Sequence, residues 1–298
     1  MAKPFVKWAG GKGKLLPTLE ANLPLDFNKQ QEVTYIEPFV GGGAMLFYML
    51  EKYPNIRRII INDINLGLIN CYRTIKDNHK ALISELSQLH NKFYELESIE
   101  EKRCLYYSLR DEYNMIPVDE RNTIRTAALF VFFNRTCFNG LYRENNQGNF
   151  NVPYGKYVRP NICNEQVVTD AHNVLQHVEI LHGNYANVLE FVDWNEYNFF
   201  YLDPPYRPLL KANNFKQYTM NAFGDQEQEE LKGFCDIIHN HRGYFMLSNS
   251  NSILESGVNY FEDLYNKYNV QQINAPRRIN AYAQGSQMAT EILVKNYD

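Results

Sequence analysis

Thr34-Tyr35-Ile36-Glu37-Pro38-Phe39-Val40-Gly41-Gly42-Gly43 is the stretch whose reading decides the fold of this chain. Residues 34–40 carry the β-branched and aromatic side chains of a strand, which the three glycines then break. Ala44 to Lys52 reads as a helical run and Arg58 to Asn62 as a second strand. Strand, loop, helix and strand in that order open a parallel α/β sheet, where ligands collect at the carboxyl ends of the strands. Asp63 lies 20 residues past Gly43, at the end of the second strand. At that separation a carboxylate reaches ribose hydroxyls, while the glycines let a ligand approach the backbone closely. The loop lacks the G-x-G-x-x-G spacing of dinucleotide binders. The pair therefore points to a nucleoside cofactor of another kind, or to a tight turn beside a surface aspartate.

Outward from this core the pattern changes. From Leu66 to about Phe133 apolar residues recur three or four apart (Leu82, Ile83, Leu86, Leu89, Phe93, Leu96), which predicts mostly helix. Residues 134–164 are polar and rich in Gly and Asn, and about 138–157 reads as a β-hairpin with exposed aromatics. Strand signals return at Val178 to His182, Phe199 to Leu202 and Tyr244 to Ser248. A helix is expected between Asp225 and His239, with Asp225 as N-cap and Gln228 as its capping-box partner. Two last strands, near Val270 to Ile273 and Glu291 to Asn296, are close enough in sequence for an antiparallel pair. The expected organisation is a discontinuous α/β domain, 1–64 with 168–298, interrupted by a mainly helical insertion, 65–167. Loops and insertions on a rigid scaffold are natural seats for substrate selection.

Composition narrows the class. With 298 residues and 45% of them hydrophobic, the chain can bury a core without covalent staples. Cys71, Cys104, Cys137, Cys163 and Cys235 are scattered with no CxxC pair, so neither a disulfide framework nor a zinc site is expected. There is no bilayer-length apolar run, and the opening Met1-Ala2-Lys3-Pro4 lacks the apolar core of a secretory signal. A soluble cytoplasmic protein without a membrane partner is expected. The net charge of −4 argues against a polyanionic partner only on average. Positive charge is local at Lys3, Lys7, Lys12 and Lys14, and again at Arg135, Arg143, Lys156 and Arg159. The acidic runs 95–101 and 225–230 read as solvated helix faces.

Asp203-Pro204-Pro205-Tyr206 follows the strand signal at 199–202. Two prolines cannot continue a ladder, so they freeze the chain just past the strand. They also remove N–H donors, which leaves the Pro204 carbonyl beside the Asp203 carboxylate as an acceptor-only surface. Such a surface suits an amine with two N–H groups. An exocyclic aromatic amine is a poor nucleophile because its lone pair is delocalised, and two acceptors can draw it toward tetrahedral geometry. Tyr206 could then stack on the base; the plain alternative is a rigid loop with a capping aspartate. An amine inside a duplex is out of reach of such a pocket, so its base would have to leave the stack. In the hairpin, Tyr142, Phe150, Tyr154 and Tyr157 either wedge into a duplex or pack on one another. Arg143 and Lys156 are candidates for phosphates, and Asn139 and Gln147 for base edges. The seven histidines form no HExxH, His239 and His241 read as solvated, and no serine or cysteine is tied to a general base. Methyl transfer from a sulfonium needs neither metal nor nucleophile, because positioning and electrostatics can supply the acceleration.

With these residues in hand, the chain resembles the Dam-type, D12-class adenine-N6 DNA methyltransferases nearly from end to end. The resemblance rests on Phe5-Val-Lys-Trp8-Ala-Gly-Gly-Lys12, Glu37-Pro-Phe-Val-Gly-Gly-Gly43, Asn62-Asp63, Phe138-Asn-Gly-Leu-Tyr-Arg143, Phe150-Asn-Val-Pro-Tyr-Gly-Lys-Tyr157, Asp203-Pro-Pro-Tyr206 and Ser248-Asn-Ser250, in family order. It implies a Rossmann-like S-adenosylmethionine-dependent sheet with an inserted DNA-recognition domain, S-adenosylhomocysteine as product and no metal. By resemblance, Trp8, Lys12, Asp63 and Asp203 contact S-adenosylmethionine. Glu37, Phe39, Gly41, Gly42 and Gly43 belong to the motif around its methionine part, and Asn184 and Tyr185 fall where many members carry Gly-Asp-Phe beside its adenine. Asp203, Pro204, Pro205 and Tyr206 would hold the target adenine. The candidate DNA contacts are Lys7, Arg135, Asn139, Tyr142, Arg143, Gln147, Pro153, Lys156, Tyr157, Arg277 and Arg278. Gln147 falls where GATC-recognising enterobacterial relatives carry a guanine-reading arginine. Glutamine prefers adenine edges, so the expected site is GATC or a variant of it. The implied partner is double-stranded DNA, met as a monomer or as a dimer on DNA, in a bacterial, archaeal or phage setting. A cognate restriction endonuclease would be a companion and not a physical partner. The rival readings are methylation of cytosine N4, for which serine would be more usual at 203, a protein or RNA substrate, for which asparagine would be, and a DNA-binding relative without catalysis.

Overall fold

The computed structural model describes residues 2–207, 223–253, 259–275 and 289–298. Its strands are β1 (Val33–Glu37), β2 (Ile56–Asp63), β3 (Val178–His182), β4 (Tyr197–Leu202), β5 (Tyr244–Ser250), β6 (Asn269–Ala275) and β7 (Ala289–Lys295), in the sheet order β3-β2-β1-β4-β5-β7-β6. β4 runs parallel to β1 and to β5, with Tyr35 opposite Phe199 and Tyr201 opposite Met246. β7 is antiparallel to β5 and β6, which is the edge pair expected near the end of the chain. Every residue of β1 is buried, as are Phe199 to Leu202 in β4. Strands covered on both faces are read from sequence as unbroken apolar runs, without alternation. β1 stops at Glu37, short of the expected Val40, because Pro38 has no N–H to give to a ladder.

The chain divides into two compact units, Met1–Gly13 with Val40–Pro54 and Ile60–Tyr185, and Lys14–Phe39 with Asn55–Ile59 and Ala186–Asp298. The first holds α2 (Ala44–Lys52), α3 (Leu66–Tyr94), α4 (Ile99–Met115), α5 (Ile124–Thr136) and α6 (Glu165–Leu175). Asn65 caps α3 by accepting from the Leu68 N–H, and α3 buries Leu82, Leu86, Leu89 and Phe93 along one stripe. Ser98 and Glu101 close a reciprocal capping box on α4. α5 is buried on nearly every side from Thr126 to Asn134, so it is the core helix of this unit.

The expected hairpin is present in irregular form. Residues 138–157 hold a 3-10 turn at Phe138–Gly140 and two isolated antiparallel bridges, Cys137 with Tyr154 and Glu144 with Phe150, in place of regular strands. Backbone bonds still bridge its two arms, from the Phe138, Asn145, Asn151 and Gly155 N–H groups to the Pro153, Asn149, Arg143 and Thr136 carbonyls, and side chains add to them. The Asn145 carboxamide accepts from the Gln147 and Asn149 N–H groups, the Asn114 carboxamide exchanges both bonds with the Phe150 backbone, and Pro153 has no donor.

The second unit carries α1 (Leu16–Glu20), α7 (Asp225–Asn240) and α8 (Tyr260–Leu264). α7 begins one residue earlier than expected, with Gly224 as N-cap and the Glu227 carboxylate accepting from its N–H at 2.8 Å. Asp225 is otherwise engaged, since both its oxygens accept from Arg207. Among the described residues no helix is long and apolar enough to cross a membrane, and no cluster of His, Cys, Asp and Glu could hold a metal ion.

Candidate active site

In the first unit the glycine loop closes as a tight turn, with the Gly43 N–H on the Val40 carbonyl at 2.8 Å and the Val40 N–H on that of Asn62 at 2.9 Å. Gly41 and Gly43 sit at φ +48° and +72°. Asp63 straightens the turn from below: Oδ2 accepts from the Gly41 N–H at 3.0 Å and Oδ1 from the Asn65 N–H at 2.9 Å. The Tyr72 hydroxyl donates to the Gly41 carbonyl at 3.0 Å. A methyl on Gly41 would stand 2.7 Å from Trp8 Cδ1, so the indole faces bare backbone. That indole is stacked near Phe130 and Tyr142, at centroid distances of 6.3 and 5.8 Å. The structure thus brings Trp8, the Gly41–Gly43 loop and Asp63 together. The Asn62 amide donates to the Gly183 carbonyl and the Gly183 N–H to the Asp63 carbonyl, which sets exposed Asn184 and half-buried Tyr185 just beyond. Burial pushes the Asp63 carboxyl above its ordinary range, against the opposing pull of the Asn65 and Gly41 N–H groups and of His182. Lys12 is buried. A cradle that one methyl would fill, walled by an aromatic face and flanked by a carboxylate, suits a flat nucleoside with a ribose diol.

In the second unit Asp203-Pro204-Pro205-Tyr206 leaves the carboxyl end of β4, with Pro204 buried, Pro205 exposed, and Asp203 and Tyr206 half-buried. Sequence reasoning missed what holds it. Buried Gln228 of α7 donates to the Pro205 carbonyl at 3.3 Å and accepts from Asn249 at 3.1 Å. Arg207, the next residue along, is buried; it donates twice to Asp225, at 2.5 and 3.1 Å, and once to Ser252 at 3.0 Å. Its guanidinium also lies 4.4 Å from the Tyr260 ring centroid. Such a bidentate pair fixes geometry as well as charge. The Ser248 hydroxyl donates to Asp203 Oδ1 at 3.4 Å. Elsewhere in this unit Glu37 accepts from the Tyr35 hydroxyl at 2.9 Å, and Phe39 lies edge-on to Phe223. Adjacency to the motif was the one signal available for Arg207.

The recognition candidates in 135–157 share the first unit with Lys7. Asn134 clamps this region, accepting from the Lys7 N–H and donating to the Lys7 and Gly140 carbonyls. Arg135 donates to the Phe5 carbonyl at 2.6 Å. Phe150 and Tyr154 turn inward and pack, so of the readings open for these two it is the packed one that the structure shows. Tyr142 is half-buried beside Trp8, and its hydroxyl donates to Glu144. Asn139, Arg143, Gln147, Pro153 and Lys156 are exposed, Arg143 donating to Asn151 at 2.7 Å, while the Lys7 ammonium sits 5.0 Å from the Tyr157 ring centroid. The tip is anchored by residues the sequence did not single out. Buried Arg121 donates to the Gly148 carbonyl at 2.7 Å and the Ile116 carbonyl at 3.1 Å, and the Tyr106 hydroxyl donates to the Val152 carbonyl at 2.7 Å. Arg277 and Arg278 lie outside the described residues.

The chain is similar to known proteins over most of its length. The model of the D12 class N6 adenine-specific DNA methyltransferases matches residues 8–279. The chain is 41% identical over 296 residues to the type II methyltransferase M.MjaIII of Methanocaldococcus jannaschii, covering 99% of each. It is 34% identical over 297 residues to the type II methyltransferase M1.LlaDCHI of Lactococcus lactis subsp. cremoris, covering 99% of this chain and 95% of that one. To the DNA adenine methylase of Escherichia coli K12 it is 30% identical over 254 residues, 85% of this chain and 82% of that one.

Proposed function

The chain belongs to the D12 class of N6 adenine-specific DNA methyltransferases, and from that premise we propose that it methylates a flipped-out adenine at N6 within a short duplex site, GATC or a variant of it. The observation that carries this reading is the Asp203-Pro204-Pro205-Tyr206 turn at the end of β4, with Gln228 on the Pro205 carbonyl and the adjoining Arg207 held by Asp225.

We assign Asp203 and the Pro204 carbonyl to the two N–H groups of the adenine amine. Held between two acceptors, the nitrogen gives up conjugation with the ring and turns its lone pair outward. Tyr206 stacks on the base and Pro205 holds the loop in shape. S-adenosylmethionine, when bound, supplies the activated methyl group. Trp8, Lys12, Glu37, Phe39, Gly41, Gly42, Gly43, Asp63, Asn184, Tyr185 and Asp203 are the residues we assign to it. Asp63 holds ribose hydroxyls and Trp8 offers an aromatic face to the cationic centre. We assign sequence reading to 65–167 as a target-recognition domain beside a catalytic domain of 1–64 and 168–298. Lys7 of the catalytic domain, with Arg143 and Lys156 of the insertion, contacts phosphates, and Asn139 and Gln147 read base edges. Tyr142, Pro153 and Tyr157 line that surface, and Arg135 supports it through Phe5.

Incubation with labelled methyl donor and duplex DNA, followed by digestion to nucleosides and sequencing of modified sites, tests the proposal. N6-methyladenine in one short motif is expected. Label in cytosine, or adenine label without a sequence motif, would overturn it.

A further inference from the structure

The second unit carries two buried hydroxyls that the reading above does not use. Tyr201 of β4 and Ser248 of β5 are 1% and 0% exposed, in strands that bury Phe199, Phe200, Phe245, Met246 and Leu247 along with Asn198, Asn249 and Ser250. Parallel pairing sets Leu202 opposite Leu247, so Asp203 and Ser248 are the next positions along the same register. The Tyr201 hydroxyl lies 3.2 Å from Ser248 Oγ, which in turn lies 3.4 Å from Asp203 Oδ1. Ser248 is further held by the ladder, opposite Leu293 of β7.

The direction of this chain of hydroxyls is fixed by proton count. A carboxylate only accepts, so the single Ser248 proton goes to Asp203. The serine oxygen must then accept, and Tyr201 is its donor. Burial first, and then the Asp203 charge, push the Tyr201 phenol well above its ordinary pKa, so it keeps that proton. A buried polar pair costs free energy unless its bonds are made, and phenylalanine at 201 would fill nearly the same space. The chain ends on the carboxylate to which we assign the amine.

We propose that Ser248 and Tyr201 are positioning residues for methyl transfer, a two-hydroxyl chain that bonds Asp203 Oδ1 and so orients the carboxylate that meets the adenine amine. This rests on the assignment of Asp203 as amine acceptor. Without the chain the carboxylate loses one bond that fixes its orientation, and the amine meets a less well-aimed acceptor in the transition state.

The test measures single-turnover methyl transfer to duplex DNA with Tyr201→Phe, Ser248→Ala, the double variant and Asp203→Ala, alongside cofactor and duplex affinities. Ser248→Ala is expected to slow transfer about tenfold and Tyr201→Phe about threefold, the loss of one charge-assisted bond and of its neutral support. Both affinities should stay within about twofold of wild type. Because Tyr201 acts through Ser248, the double variant should be no slower than Ser248→Ala alone. Rates within twofold of wild type in both single variants, with Asp203→Ala inactive, would overturn the inference and leave the Asp203 assignment standing. An active Asp203→Ala would remove the assignment itself. Additive losses that follow weakened binding would reduce the hydroxyls to packing groups. Should Ser248→Ala not fold, the isosteric Tyr201→Phe decides alone: a wild-type rate overturns the chain.

Discussion

Gly41 is the residue on which the cofactor assignment depends most locally. It combines φ +48° with a Trp8 ring atom 2.7 Å from where a Cβ would be, so alanine would strain the backbone and displace the indole together. Gly41→Ala should weaken S-adenosylmethionine binding at least about tenfold by calorimetry, with a folding cost of about 1–2 kcal/mol. Unchanged affinity would remove the loop from the site. Asp63 adds a pH signature. Its carboxyl is raised by burial, so as pH falls it protonates before an ordinary aspartate and loses one acceptor for ribose hydroxyls. Cofactor affinity should therefore decline on mild acidification. The same protonation does not destabilise the protein: a raised carboxyl takes up its proton more readily folded than unfolded, so over that window lower pH favours the native state. Calorimetry and thermal melts across that range check both signs. In Asp63→Ala the affinity should be weak and flat with pH.

At the scale of elements, the segment proposed for recognition is carried by α4 and the turn after it, through Tyr106, Asn114 and Arg121. Arg121→Met removes two donors to backbone carbonyls from a buried side chain, at a cost of about 2 kcal/mol. Duplex affinity and motif selectivity should fall while cofactor affinity holds; selectivity equal to wild type would detach the tip from sequence reading. These supports also show what the sequence hid. The strand, glycine loop and helix at 33–52 were legible because local chemistry decides them: apolar runs, three glycines, then helix formers. The hairpin at 138–157 was legible as two antiparallel arms but not in its irregularity, where Asn145 and Asn114 add side-chain bonds to the few backbone ones. The α7 cap was misplaced by one residue because Arg207, 18 residues away, claims Asp225. Contacts that bridge such separations leave no periodicity to read.

At the scale of the whole molecule, the proposed function requires a chain of net charge −4 to meet a polyanion through local cations. With Lys7, Arg143 and Lys156 on phosphates, duplex affinity should fall with a log–log salt slope of about −3, at about 0.9 per neutralised phosphate. Lys156 sits at φ +56°, where asparagine is tolerated, so Lys156→Asn should lower the slope by about 1 without unfolding the segment. An unchanged slope would take Lys156 off the DNA. At this scale the sequence motifs in family order were enough to point to the class of enzyme, whereas the Tyr201-Ser248-Asp203 chain needed the strand register to be seen. The chemistry itself converges on one carboxylate. The most direct measurement is single-turnover methyl transfer to duplex DNA by Asp203→Ala, with S-adenosylmethionine and duplex affinities taken on the same preparation. Turnover should be lost by at least about a thousandfold, with duplex affinity largely kept; methyl transfer near the wild-type rate would contradict the account.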